Sequence, residues 1–351
     1  MTKTRENHYV PRRALRRWSH DGIKVNVYSL LVPHARVPLW AVRSIKKVAA
    51  QTDLYTEFNG EEEDDAFERQ LTHDYEEPGQ NAIDKLLKGD QVRPADWDRI
   101  INFFALQAMR TPKALIDFVN RTEKHILTSL EKTVREAEAR LRSMGTPKIA
   151  LSGDADERNY FKDSLRVRIE QSPDAGAVVK AELKSPRSLW TAMIRQVLER
   201  GAASVLRNHR WSIAEAYGEA EWPLTDNPVL CLNFNSATDY DFGGGWGKEN
   251  SDLIMPISPT KLLFVEVGKK MDNRFTLTRD QTTFMQRALS ENAYRTIVTR
   301  NPAAWAVQYR PRTVDPVAYR EEQVGWGQWL TLQTQQEEEF FITAPPRPPI
   351  T

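Results

Sequence analysis

The chain of 351 residues contains one cysteine, Cys231, which excludes an internal disulfide and a cysteine-rich zinc site. Cys231 sits in the apolar run from Val229 to Leu232, where a buried structural thiol is expected rather than a nucleophile. Long hydrophobic runs are also missing. Pro228 to Leu232 and Lys261 to Val267 fall far short of the roughly 20 residues a membrane-spanning helix needs. The amino terminus is polar and basic, without the apolar stretch of a secretory leader, so a cytoplasmic protein is expected. No phosphate-binding loop is present. Gly243 to Gly247 lacks both the Lys-Ser/Thr ending and the GxGxxG spacing, and reads as a hairpin connection. With 40% hydrophobic and 28% charged residues, the composition excludes wholesale disorder.

Net charge is almost absent, at +1, but the charges are segregated. Residues 1–50 carry eleven Lys or Arg against Glu6 and Asp21; residues 51–78 carry eleven acids against Arg69 alone. A basic face attracts phosphate backbones. The plainer expectation is that the two blocks neutralise each other within the fold.

Periodicity predicts an α+β fold, a helical middle region flanked by β-containing N-terminal and C-terminal segments. Ile23 to Leu31 alternates like a strand after Asp21-Gly22, and Ser44 to Tyr55 adds a second short stretch. Helical spacing begins near Glu61, with Phe67, Leu71 and Tyr75 inward and the acids, Glu68 and Glu76 among them, on a solvated face. Pro78-Gly79 is expected to break that helix. Further helices are expected from Pro94 to about Met109, from Pro112 to about Arg142, from Ser188 to Arg207 and from Thr283 to Tyr294. Trp211 to Phe234, Asp252 to Val267 and Arg295 to Thr299 read as strands. The β segments of residues 1–56 and 211–300 are expected to meet. Residues 1–310 read as one domain, with 144–185 as an insertion or a loosely packed helical pair, and 311–351 as a C-terminal extension with a proline-rich end.

Several blocks resemble one family. They are Asn7-His8-Tyr9-Val10-Pro11 with Leu15 and Trp18; Ser44 to Ala49 leading to Asp53-Leu54-Tyr55-Thr56; Gln107 to Pro112; Trp211; Thr225 to Val229; Pro256 to Pro259; and Asn292 to Arg295. In that order and spacing the chain resembles the proteins grouped as domain of unknown function 4238, over roughly residues 5–300. It departs from them after Pro11, where Arg12, Arg13 and Ala14 replace the family's usual glutamine and aromatic residues. The resemblance implies no activity.

Two readings of the polar residues follow. In the first the chain is a metal-dependent hydrolase, most plausibly a nuclease. His8 is the base, Asp226 binds Mg or Mn or orients His8, and Asn227 contacts substrate. Gln107, Arg110 and Asn292 line the pocket, with Arg110 as an anion clamp, and Arg12, Arg13, Arg16 and Arg17 meet the substrate. In the second the chain is a non-catalytic binding protein. The same polar residues brace loops, and the basic segment, with Trp18 as a stacking platform, contacts nucleic acid or an acidic partner. Asp226-Asn227-Pro228 suits a tight turn, which favours bracing. The helix that completes a His-Asn-His nuclease motif is missing after His8.

Overall fold

The computed structural model describes residues 6–58, 63–143, 165–172, 176–183, 185–199 and 204–343. The fold is mixed α+β. Its largest sheet has six strands in the order Asp239–Asp241, Leu230–Ser236, Ser251–Ser258, Lys261–Glu266, Ser212–Glu215 and Arg274–Thr276. All neighbours are antiparallel except the last pair. Its strands are apolar on both faces because both faces are covered. Leu253, Met255, Leu263 and Val265 pack on the helical layer. Ile254, Leu262 and Leu230 face the opposite way, onto Met285, Ala288 and Leu289. Those three belong to the helix Arg279–Glu291, which starts at a capping box: Thr278 accepts from the Gln281 N–H, and the Gln281 side chain accepts from the Thr278 N–H.

The second sheet joins the two ends of the chain. Its order is Leu224–Thr225, Thr296–Thr299, Lys24–Ser29 and Trp40–Ser44, all antiparallel. Val25, Val27 and Val298 form one buried face with Val10, Leu15 and Trp18, and Tyr28 and Ile297 are buried on the other. The Trp18 indole N–H donates to the Trp222 carbonyl at 2.8 Å, so Trp18 is a core residue and its ring is not offered to a partner. The short strand Glu6–His8 pairs with Ala50–Thr52, which fixes the Asn7-His8-Tyr9 segment beside this sheet.

The middle of the chain is helical as expected, with corrections. Helix Pro94–Met109 is the hub, and Ile100, Phe104, Ala105 and Leu106 are fully buried in it. Pro94 supplies its first turn, and the Asp96 carboxylate accepts from the Arg93 N–H at 3.1 Å. Pro78-Gly79 does not break the preceding helix. Ala66–Leu71 runs through a π-type turn at Thr72–Glu76 directly into Glu77–Lys88; the Glu77 N–H reaches back to the Thr72 carbonyl, and this widened turn accommodates Pro78, which has no N–H to donate. Gly79 lies where helix Pro94–Met109 approaches; a Cβ there would meet Phe103 Cβ at 2.3 Å. Part of 144–185 is a β-hairpin, Leu165–Ser172 with Gly176–Leu183, rather than a helical pair; the rest of that span lies almost wholly outside the described residues.

Beyond residue 310 the chain returns to the body. Thr313–Val314 pairs in parallel with Leu31–Val32, and Pro316–Thr343 forms a long helix. The proline-rich end, 344–351, lies outside the described residues. Among the described residues, no helix is long and apolar enough to cross a membrane.

Candidate functional site

The separated blocks converge on the segment Asn7-His8-Tyr9. Its two main-chain oxygens are gripped from helix Pro94–Met109 and its C-cap. Arg110 Nη2 donates to the His8 carbonyl at 2.6 Å, and Gln107 Nε2 donates to the Tyr9 carbonyl at 2.5 Å. Arg110 Nη1 reaches Glu76 Oε2 at 2.6 Å, its guanidinium lies 5.3 Å from the Tyr55 ring centre, and the Tyr55 hydroxyl donates to the Arg110 carbonyl. Arg110 is fully buried, so its planar fork acts as a rigid internal clamp with both ends in use.

Asn7 and His8 point to opposite sides, as strand neighbours must. Asn7 accepts from the Tyr55 N–H at 3.2 Å and donates to the Glu68 carboxylate. Burial pushes Glu68 up to about 7; Glu76 adds to this, while Arg110, Asn7 and Arg12 oppose it. The His8 ring lies at the other side, with Nε2 3.1 Å from the Lys46 carbonyl and 3.3 Å from Arg12 Nε. One nitrogen serves only one of those partners at a time, donating to Lys46 when protonated or accepting from Arg12 when not. Burial and then Arg12 hold its pKa below the ordinary histidine value, which favours the neutral ring.

Asp226, Asn227 and Asn292 form a separate brace around the end of helix Arg279–Glu291. The Asp226 carboxylate accepts three main-chain N–H groups, from Tyr294 at 2.8 Å, Arg295 at 2.6 Å and Thr296 at 2.9 Å. Burial still pushes Asp226 up to about 6, against the pull of those amides. Asn227 accepts from the Thr111 hydroxyl at 3.1 Å and donates to Asn292; Asn292 returns donors to the Asn227 and Val229 carbonyls at 2.9 and 3.0 Å. These donors and acceptors are spent within the fold. Three backbone amides take three of the four acceptor positions of the Asp226 carboxylate. Among the described residues no group of three or more His, Cys, Asp or Glu is placed to hold a metal. Thr111, next to Arg110, ties the two networks through its hydrogen bond to Asn227, and Tyr9, whose phenol burial raises far above its usual range, lies within electrostatic reach of Asp226 and Tyr294.

The basic segment divides in two. Arg13 and Arg17 both donate to Asp84, at 2.5 and 2.6 Å, and Arg13 also reaches Asn81 at 2.6 Å. Despite burial, these cations hold Asp84 below the usual carboxylate range. Among the described residues, no ion pair joins the two charge blocks directly. The acids of 51–78 find other partners: Glu57 meets Arg195, Asp65 meets Arg69 and Glu76 meets Arg110. Arg12, Arg16, Lys46 and Lys47 remain exposed, with no carboxylate at ion-pair distance among the described residues. They lie on helix Arg12–Arg16 and on the turn Ile45–Lys47 that packs beside it.

Sequence periodicity missed Glu68, Glu76 and Tyr55 as parts of this centre. The available signal was the need of a buried Arg110 and a buried Asn7 for partners. Burial pushes the Cys231 thiol up to about 12, as suits a packed side chain.

A mixed α+β body with its amino-terminal segment threaded into a polar clamp defines the class. The chain belongs to the family described as protein of unknown function (DUF4238), whose model matches residues 6–303. Neither curated proteins nor solved structures yield a match.

Proposed function

We propose that this chain is a non-catalytic binding protein that meets the phosphate backbone of nucleic acid through its basic amino-terminal segment. One observation carries the reading: Arg12, Arg16, Lys46 and Lys47 are exposed cations without a carboxylate at ion-pair distance among the described residues, carried on a helix and a turn that pack together. Unpaired exposed cations release counterions from a polyanion, whereas Arg13 and Arg17 are already satisfied by Asp84. Arg110, Gln107, Asp226, Asn227 and Asn292 act as braces in this reading, because each is engaged by another part of the fold.

The test is binding of labelled single- and double-stranded DNA and RNA between 50 and 200 mM salt. The expected slope of log affinity on log salt is about −0.9 per duplex phosphate contacted. Arg16→Glu with Lys47→Glu should flatten that slope by roughly two contacts, with folding intact. No binding at low salt, or binding indifferent to these substitutions, overturns the proposal. The hydrolytic reading retains one supporting observation, the His8 ring, favoured neutral, beside Arg12. Metal-dependent cutting that disappears in His8→Ala would establish that reading instead.

A further inference from the structure

A cavity of about 330 Å³ lies between the helix starting at Pro112 and the helix Pro316–Thr343, and it shares Tyr294 with the Asp226 brace. Its carboxy-terminal wall is a single helical stripe, Glu322, Gly325, Trp326 and Trp329, spaced three, four and seven residues from the first. The two indoles meet edge to face with centres 5.7 Å apart, and Tyr294 supplies a third ring. Glu322 is the one ionisable acid in the lining, and no Lys or Arg shares it. The lining thus combines three aromatic rings, whose faces carry negative quadrupole charge, with the Glu322 carboxylate, the Asn120 amide and the aliphatic Leu115, Ile116 and Val119.

The chain's own chemistry displays what such a lining holds. Just outside the lining, the Arg295 guanidinium lies 4.1 Å from the Tyr294 ring centre and donates through Nε to Glu322 at 2.6 and 2.8 Å. That pairing already neutralises much of the Glu322 charge. A primary amine needs acceptors for each of its N–H groups, and the cavity offers few; a fully alkylated ammonium needs none. Gly325 adds a second indication. A glycine within a helix is unfavourable, yet Gly325 lines the cavity at an exposed position where a Cβ would meet nothing within 4 Å.

We propose that this cavity is a binding site for alkylated ammonium groups, held by the faces of Trp326, Trp329 and Tyr294 beside Glu322. The site is independent of the basic segment. Calorimetry on the full chain would compare choline chloride with 3,3-dimethyl-1-butanol, its neutral isostere, at constant chloride. Choline should bind at least tenfold more tightly. Gly325→Leu fills the cavity without removing a contact and should lower choline affinity tenfold or more at unchanged circular dichroism. Trp326→Leu should do the same. Equal affinity for the neutral isostere, no choline binding by the native chain, or full binding by Gly325→Leu each overturns the proposal. A trimethyllysine peptide, set against its unmethylated form, separates the two sources of the group. Tighter binding of that peptide than of choline places the ligand on a protein, and the reverse order makes it a free small molecule; both orders uphold the alkylammonium class.

Discussion

Arg187 and Glu337 stand 150 residues apart in the chain and meet almost fully buried, Nη2 to Oε2 at 2.7 Å and Nε to Oε1 at 3.0 Å. Ser188 adds a hydroxyl donor to the same carboxylate at 2.7 Å, and Arg187 Nη1 donates to the Asp53 carbonyl at 3.2 Å. Removing one member of such a pair strands the other charge away from water. Glu337→Ala should therefore lower stability by about 3–5 kcal/mol, measured by denaturant unfolding. Arg187→Met combined with Glu337→Leu should lose much less. Equal losses in the single and double variants would refute this account.

Two glycines give opposite expectations for one substitution. Gly325→Ala removes a flexible residue from a helix where its Cβ is free, and should stabilise by about 0.5–1 kcal/mol. Gly79→Ala puts a Cβ into Phe103 and should destabilise by about 1–3 kcal/mol despite alanine's higher helix propensity. Thermal melts of both variants decide it, and a gain at Gly79 would mean that the two helices separate easily.

Stability should depend on pH through buried carboxylates. Asp252 is pushed from 3.8 up to about 7, first by burial and then by Glu266 across the sheet; Glu68 is pushed to about 7 as well. A carboxyl with a raised folded pKa binds more protons folded than unfolded, so its contribution weakens as pH rises from about 4 to 7. Asp252→Asn removes that penalty. Its melting temperature should match wild type near pH 4 and exceed it increasingly up to pH 8. Parallel curves across that window would rule the assignment out.

Arg110→Lys keeps the charge but cannot reach both Glu76 and the His8 carbonyl with one ammonium in the same geometry. Leaving a buried acceptor unpaired costs about 1–3 kcal/mol. The expected result is a folded protein with a lowered denaturation midpoint, and amide exchange should rise in the Asn7–Tyr9 segment before it rises elsewhere.

Asp226→Asn should destabilise by a similar amount, about 1–3 kcal/mol, because its amide nitrogen would face main-chain N–H donors. Magnesium or EDTA should leave the native melting temperature unmoved. A magnesium-dependent rise lost in Asp226→Asn would restore this carboxylate as a ligand.

The elements that periodicity revealed are those with a clean apolar stripe and a start signal. Pro94 with Ile100, Phe104 and Leu106 announces the hub helix, and Val25 and Val27 announce a strand. Helix Pro316–Thr343 was not legible, since Gly325 and Gly327 interrupt it and its buried positions include Gln333 and Glu337. Polar anchoring of that kind leaves no hydrophobic period to read. The same limit applied to the centre. Gln107, Arg110, Asp226 and Asn292 stood out as polar residues in apolar surroundings, but a brace and a catalytic group look alike until their partners are known. Glu68 and Glu76 were lost among neighbouring acids because only the fold shows which acids turn inward.

The Arg187–Glu337 pair also sets a timetable for biosynthesis. Residue 187 leaves the ribosome 150 residues before its counter-charge, roughly 8–30 s earlier at ordinary elongation rates. Through that interval the nascent chain carries an arginine without its buried counter-charge. A message cut short before residue 337 would yield a product weakened as Glu337→Ala is, with the Arg187 guanidinium lacking its carboxylate.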